Sequence, residues 1–200
     1  MANIKLTKNE LKKQKDALKR YERYLPTLIL KKQQLQMVIR QVEAQERQKR
    51  HDKEAVKSEI DRWVAVFGEP VQVNELVGVE EVVTDTGNIA GVDIPVFKDI
   101  RFWAAEYDLF EIPLWVDTAV EELKKLVALE EESRVLQKQV ELLSQELRIT
   151  SQRVNLFEKV KIPETRENIR VIGIYLGDQQ TAAVVRGKIA KNKLVKAESR

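Results

Sequence analysis

The chain has 200 residues, 34% of them charged and 6% aromatic, with seven glycines and five prolines. That balance points to helix-rich, elongated structure rather than one large globular core. It contains no cysteine, which excludes disulfides, thiolate zinc sites and cysteine nucleophiles and suits a reducing, cytoplasmic compartment.

The net charge of +3 is unevenly spread: residues 1–24 hold eight Lys/Arg against three acids, 186–200 hold six against one, and 68–111 hold two against ten. Termini and centre are therefore expected to meet different surroundings. The first thirty residues are lysine-rich without a continuous apolar run, and no stretch reaches the ~20 apolar residues that span a bilayer. Direct membrane insertion is not expected.

From about Thr7 to Phe67 the sequence contains no glycine, and apolar residues recur on two interleaved sevens. One series is Leu11, Leu18, Leu25, Lys32, Ile39, Glu46, Lys53, Ile60 and Phe67; the other is Gln14, Tyr21, Leu28, Leu35, Val42, Lys49, Val56 and Trp63. This is the seam of a coiled coil, sustained for ~90 Å at ~1.5 Å per residue. It is weakest at Glu46, Lys49 and Lys53, where either a partner or a frayed stretch is expected. Pro26 cannot donate to the carbonyl of Glu22, so a kink or break is expected between Tyr21 and Leu28.

Between the helical stretches, Val77–Val83 and Ile89–Phe97 are β-branched runs. They flank Asp85-Thr86-Gly87-Asn88 and read as a hairpin turning at those four residues.

A second helical pattern runs from about Pro113 to Phe157, with Asp117 or Thr118 as its cap. Its seam is Leu126, Leu129, Ser133, Leu136, Val140, Leu143, Leu147, Thr150, Val154 and Phe157. Glu121 with Lys125, and Glu141 with Gln145 or Arg148, stand at helix-pair spacings on outer faces. Pro163 then interrupts, and Ile169, Ile172, Leu176 and Ala183 resume a stripe toward a basic tail. Parallel helices would oblige the connection to travel back along ~90 Å, so antiparallel pairing is the economical arrangement. The expected fold is mostly α, a long antiparallel two-helix coiled coil with a small β-hairpin-containing insert between the helices. The parts are residues 1–67, 68–114 and 115–200.

Chemistry-bearing motifs are scarce. His51 is the one histidine, set in the charged run Arg47–Lys53, and reads as solvated surface. Glu80-Glu81 and Glu130-Glu131-Glu132 lack the Gly-turned loop of alternating acids that binds hard cations, and the glycines form no phosphate-binding loop. Neither a metal nor a cofactor is therefore expected. Gly173 and Gly177 have small-xxx-small spacing, which fits either close helix approach or a local helix break. Trp63, on the first seam, and Trp115, at the head of the second helix, are expected to pack together where the antiparallel helices meet the insert. The basic ends lack aromatic interleaving, so nucleic acid is not an expected partner.

Several segments carry a resemblance. Thr7-Lys8 with Leu11, Thr27–Leu35, Asn88-Ile89-Ala90-Gly91-Val92 with Ile94-Pro95, and Arg153-Val154-Asn155-Leu156-Phe157-Glu158 followed by Ile162-Pro163, Ile169 and Ile172 resemble the D subunit of V-type and A-type ATPases. The resemblance implies a non-catalytic central rotor shaft, one copy per complex, whose paired termini enter the ring of catalytic and regulatory A and B subunits. Its other end is then expected to meet the small F subunit of the stalk and the adaptor that seats it on the membrane ring. Taken with the charge split, the resemblance implies that Lys5, Lys8, Lys12, Lys188, Lys191 and Lys193 form a basic tip within the catalytic ring and that the acidic insert serves partners at the opposite end. The rival reading is a generic coiled-coil scaffold or tether.

Overall fold

The computed structural model describes residues 4–64, 76–105, 113 and 115–198. In chain order these form α1 (Lys8–Val64), β1 (Val77–Ile89), β2 (Val92–Ala104), α2 (Trp115–Asn155), a π-helix (Leu156–Lys161) and α3 (Ile162–Glu198). The molecule divides into two units, Met1–Leu30 with Thr150–Arg200, and Lys31–Ile149. Phe67 lies outside the described residues.

α1 starts where its sequence supplies a cap: the Glu10 N–H donates to Thr7 Oγ1 at 3.2 Å and the Leu11 N–H to the Thr7 carbonyl. This satisfies donors that a helix start leaves free. The break expected at Pro26 does not occur, because α1 continues through it. Pro26 and Glu22 both lie on the exposed face, where water can satisfy the carbonyl that loses its donor. α2 begins at Trp115, so Asp117 and Thr118 sit in its opening turn. There the Asp117 carboxylate complements the helix dipole.

In the first unit, α1 packs against the end of α2, the π-helix and α3. Tyr21 meets Phe157 with ring centroids 5.1 Å apart, Arg166 bonds Glu22 at 2.8 Å, and Asn168 donates to Gln14 at 3.4 Å. Leu11, Leu18, Tyr21, Leu25 and Leu28 are half-buried, while Thr150, Val154, Ile162, Thr165 and Ile172 are buried.

In the second unit the same direction of pairing recurs: as α1 residue numbers rise, the facing α2 numbers fall. Lys31 bonds Glu146 at 2.6 Å, Lys49 bonds Glu132 at 2.9 Å, and Lys53 bonds Glu130. Leu35, Ile39, Val42 and Leu143 form the core with Ile94 of β2, and Leu136, Val140 and Leu147 pack around them. Val56 and Ile60 are half-buried, as are Leu126 and Leu129. Trp63 meets Trp115 edge-on at 6.4 Å.

The strands pair antiparallel from Val77↔Ala104 to Ile89↔Val92, with irregularities between Val79 and Glu81 and between Val83 and Thr84. The turn is therefore Ile89-Ala90-Gly91-Val92, not Asp85–Asn88. Ala90 and Gly91 both have positive φ, 53° and 77°, as a two-residue primed turn requires. Asn88 braces it by accepting from the Gly91 N–H at 3.1 Å and donating to Asp93 at 2.6 Å. Gly87 instead serves packing, since a Cβ there would meet Val96 Cγ2 at 2.9 Å. The turn end seats on the helices through Ile89, Ala90, Val92 and Ile94, and Gln139 donates to the Pro95 carbonyl at 2.6 Å. The open end packs Val77 and Phe102 on Val116, Val120 and Leu123.

The polar seam positions Glu46, Lys49 and Lys53 are paired across the helices. Glu46 is buried and accepts from Ser133 Oγ at 3.3 Å, Gln137 Nε2 at 3.0 Å and the Arg50 guanidinium. Outer-face pairing is tighter than the spacing suggested: Lys125 bonds Glu122 and Lys138 bonds Glu141, each three residues apart.

Two outcomes test this seam. Reversing Glu132 alone, as Glu132→Lys, sets like charges against Lys49 and should lower stability by about 1 kcal/mol, with Lys49→Glu in the same chain restoring most of it; chemical denaturation of the four-member cycle measures both. The second concerns acid. The amide of Gln137, working against desolvation and joined by Arg50 and Ser133, holds the Glu46 carboxyl below its ordinary value, and Lys53 does so for Glu130. Because the folded values are the lower ones, their stabilisation is complete above the unfolded carboxylate value of about 4.3 and fades as pH falls through the folded values. Thermal midpoints from pH 7 to 3 should drop below about pH 4.5, and Glu46→Gln should be less stable at pH 7 but show a shallower acid response.

Candidate partner-binding surfaces

Among the described residues no group of three or more His, Cys, Asp or Glu side chains is placed to hold a metal ion. His51 is exposed on α1. The features that stand out are surfaces, and they begin with the two ends of the first unit.

Lys5, Lys8 and Lys12 are exposed at the start of the chain, and Lys188, Lys191 and Lys193 are exposed near the end of α3. The structure does not bring these two sets to one level. Asn168 faces Gln14; at ~1.5 Å per residue Lys8 lies ~9 Å beyond Gln14 along the axis, whereas Lys188 lies ~30 Å beyond Asn168. α3 thus outruns α1. Upstream, Ile162, Thr165 and Ile172 are buried. From Gly177 to Val195 every residue except half-buried Ala182 is exposed.

That last stretch combines Arg186, Lys188, Lys191 and Lys193 with exposed Val184, Val185, Ile189, Leu194 and Val195, and between Gln179 and Lys196 it contains no acid. Exposed apolar residues mixed with one sign of charge, on a helix that has no facing helix among the described residues, are the marks of a docking surface. Sequence periodicity gave no warning of where the partner helix stops, because the Ala183 position continues the seam spacing beyond α1.

The hairpin offers a different surface. Glu81 pairs with Arg101 at 3.1 Å and Asp85 with Lys98 at 2.9 Å, across the strands. The Lys98 hydrogen bond, helped by the Thr86 N–H, lowers the Asp85 carboxyl from its ordinary value. Trp103, 44% exposed, lies over Gly78, where an added Cβ would meet its indole at 2.5 Å. The indole thus covers the glycine and still presents an apolar face to solvent.

The family of ATP synthase D subunits matches residues 10–192. The chain belongs to the ATP synthase D-subunit family. A V-type ATP synthase D subunit of Borreliella burgdorferi is 52% identical over 196 residues, covering 98% of this chain and 97% of that protein. Proteins of the same description from Chlamydia caviae and Chlamydia pneumoniae are 35% and 34% identical, each covering 96% of this chain and 94% and 93% of theirs. A member of the D-subunit family is one part of a multisubunit rotary ATPase, and a stalk part rather than a catalytic one. No described helix is long and apolar enough to cross a membrane.

Gly173 and Gly177 sit within the uninterrupted α3, and a Cβ on either would meet nothing within 4 Å. The described chain thus uses them neither for close helix approach nor as a break. In the isolated D subunit, Gly173→Ala and Gly177→Ala should each raise stability by about 0.5–1 kcal/mol, read from denaturant midpoints. If either variant instead fails to join the ATPase complex, a partner approaches the helix backbone at that point.

Proposed function

We propose that this D subunit is the central rotor shaft of its V/A-type ATPase, one copy per complex. It carries torque between ATP hydrolysis or synthesis in the catalytic ring and ion movement in the membrane ring, and catalyses nothing itself. Residues 1–67 and 115–200 build the shaft and 68–114 the insert. The observation that carries the reading is the end of α3, a cationic, apolar-studded helix that extends past its partner with its side chains exposed.

A helix of that kind suits insertion into the centre of a ring of A and B subunits, where apolar contacts bury area and lysines meet acidic side chains. The paired helices behind it suit torque, because two helices joined by interlocking side chains and cross-helix charges resist twisting better than one. The hairpin and the acidic insert are assigned to the far partners, the small F subunit of the stalk and the adaptor on the membrane ring. The whole shaft then sits on the cytoplasmic side, peripheral to the membrane.

Native mass spectrometry of this chain with its own purified catalytic ring should show one copy per ring of six. Two or three copies would fit a peripheral stalk instead, and stable homodimers that ignore the ring would fit a generic scaffold. The triple variant Lys188→Glu, Lys191→Glu, Lys193→Glu should weaken ring binding at least ~10-fold at low salt, with the difference shrinking as salt rises. Unchanged affinity contradicts the placement.

A further inference from the structure

The burial pattern of the first unit changes phase by one residue at the π-helix. Up to its second residue, Thr150, Val154 and half-buried Phe157 occupy the seam at alternating steps of four and three. Continued in steps of seven from Val154 and Phe157, the seam would fall on Lys161 and Glu164. It falls instead on Ile162 and Thr165, both buried, and then on Ile169 and Ile172. Glu164 is exposed. The facing seam of α1, from Leu11 to Leu28, keeps its sevens with no such step.

One residue of an α-helix turns the side chain by ~100°. Without an adjustment, one surplus residue would carry Ile162, Thr165 and Ile172 away from α1. A π-turn closes its hydrogen bonds at i→i−5, taking up one residue more than an α-turn. The Ile162 N–H donates to the Phe157 carbonyl in that pattern. None of the six π-helix residues is buried, and Leu156 and Val160 are 44% and 48% exposed. Phe157 keeps its seam place against Tyr21, and the surplus after it is looped toward solvent at Glu158, Lys159 and Val160.

The local chemistry tolerates this. Pro163 has no N–H to give, and the wide turn ends just before it, where its ring would crowd the carbonyl four residues back. The Thr165 hydroxyl, 4% exposed as a residue, donates to the Lys161 carbonyl at 2.6 Å and satisfies the last residue of the π-helix.

We propose that the π-helix Leu156–Lys161 is a register corrector: it stores one inserted residue so that α3 presents the same face to α1 that α2 does. The inference does not depend on the rotor reading. It predicts an asymmetry between removing and adding a residue at one exposed position. Deleting Lys159 lets the segment close as α-helix with the seam in phase, whereas inserting one alanine after Lys159 drives α3 out of phase. Phase is read by cysteines replacing Gln14 and Asn168 in this cysteine-free chain, bridged by a short bis-maleimide.

Thermal unfolding of the full chain should show the deletion within ~2 °C of the parent or above it, with cross-linking retained. The insertion should lower the midpoint by at least ~5 °C and lose the cross-link. Equal responses overturn the proposal, whether both changes are tolerated or both are damaging. A deletion variant that fails to fold also overturns it.

Discussion

The rest of the structure depends on the pairing of α1 with the C-terminal helices, because neither partner has enough apolar surface to bury alone. Leu35, Ile39 and Val42 are buried only where Leu143 and the hairpin residue Ile94 meet them. The pairing is also selective. Where charge reaches the seam of the second unit, α1 supplies Lys31, Lys49 and Lys53, and α2 supplies Glu146, Glu132 and Glu130. Two copies of α1 placed together would set lysine near lysine. Glu46 adds a polar layer that is satisfied only with Ser133 and Gln137 at their observed height. A buried carboxylate gains little net stability, and its partners are costly to lose, so such a layer chiefly fixes register.

From this constraint the two exposed features follow. The hairpin is held at both ends, by turn residues that join the helix core and by Val77 and Phe102 against Val116 and Val120, and the charged pairs along its strands remain exposed. In the first unit the seam ends with α1, and α3 goes on without it. What remains uncovered there is a basic helix with five exposed aliphatic side chains, which an isolated chain would have no reason to maintain. In a multisubunit ATPase such a surface has somewhere to go.

Much of the fold was legible from spacing alone. Heptads from Leu11 to Trp63 and from Leu126 to Phe157 report burial directly, since period and face are the same physical fact. The meeting of Trp63 with Trp115 follows from antiparallel direction once the two series are aligned. The failures are local and share a cause: each was read from a residue's usual habit when its neighbours decided. Pro26 usually breaks a helix but sits where solvent can replace the lost donor. Asp85-Thr86-Gly87-Asn88 looks like a turn, yet Gly87 is small to admit Val96, and Ala90-Gly91 turn because Asn88 braces them. The lysines at the two ends read as one cluster because composition carries no axial coordinate. The one-residue step before Ile162 was present in the sequence, but it is visible only when the burial of Thr165 and Ile172 is known.

A rotor shaft must turn, and rotation can be watched directly. With no native cysteine, a single cysteine at exposed Glu80 on β1 can carry a bead in the assembled ATPase, with the catalytic ring fixed to glass. On addition of ATP the bead should rotate continuously in one direction and stop when ATP is exhausted. A bead that stays still in a complex hydrolysing ATP at its normal rate would contradict the rotor assignment.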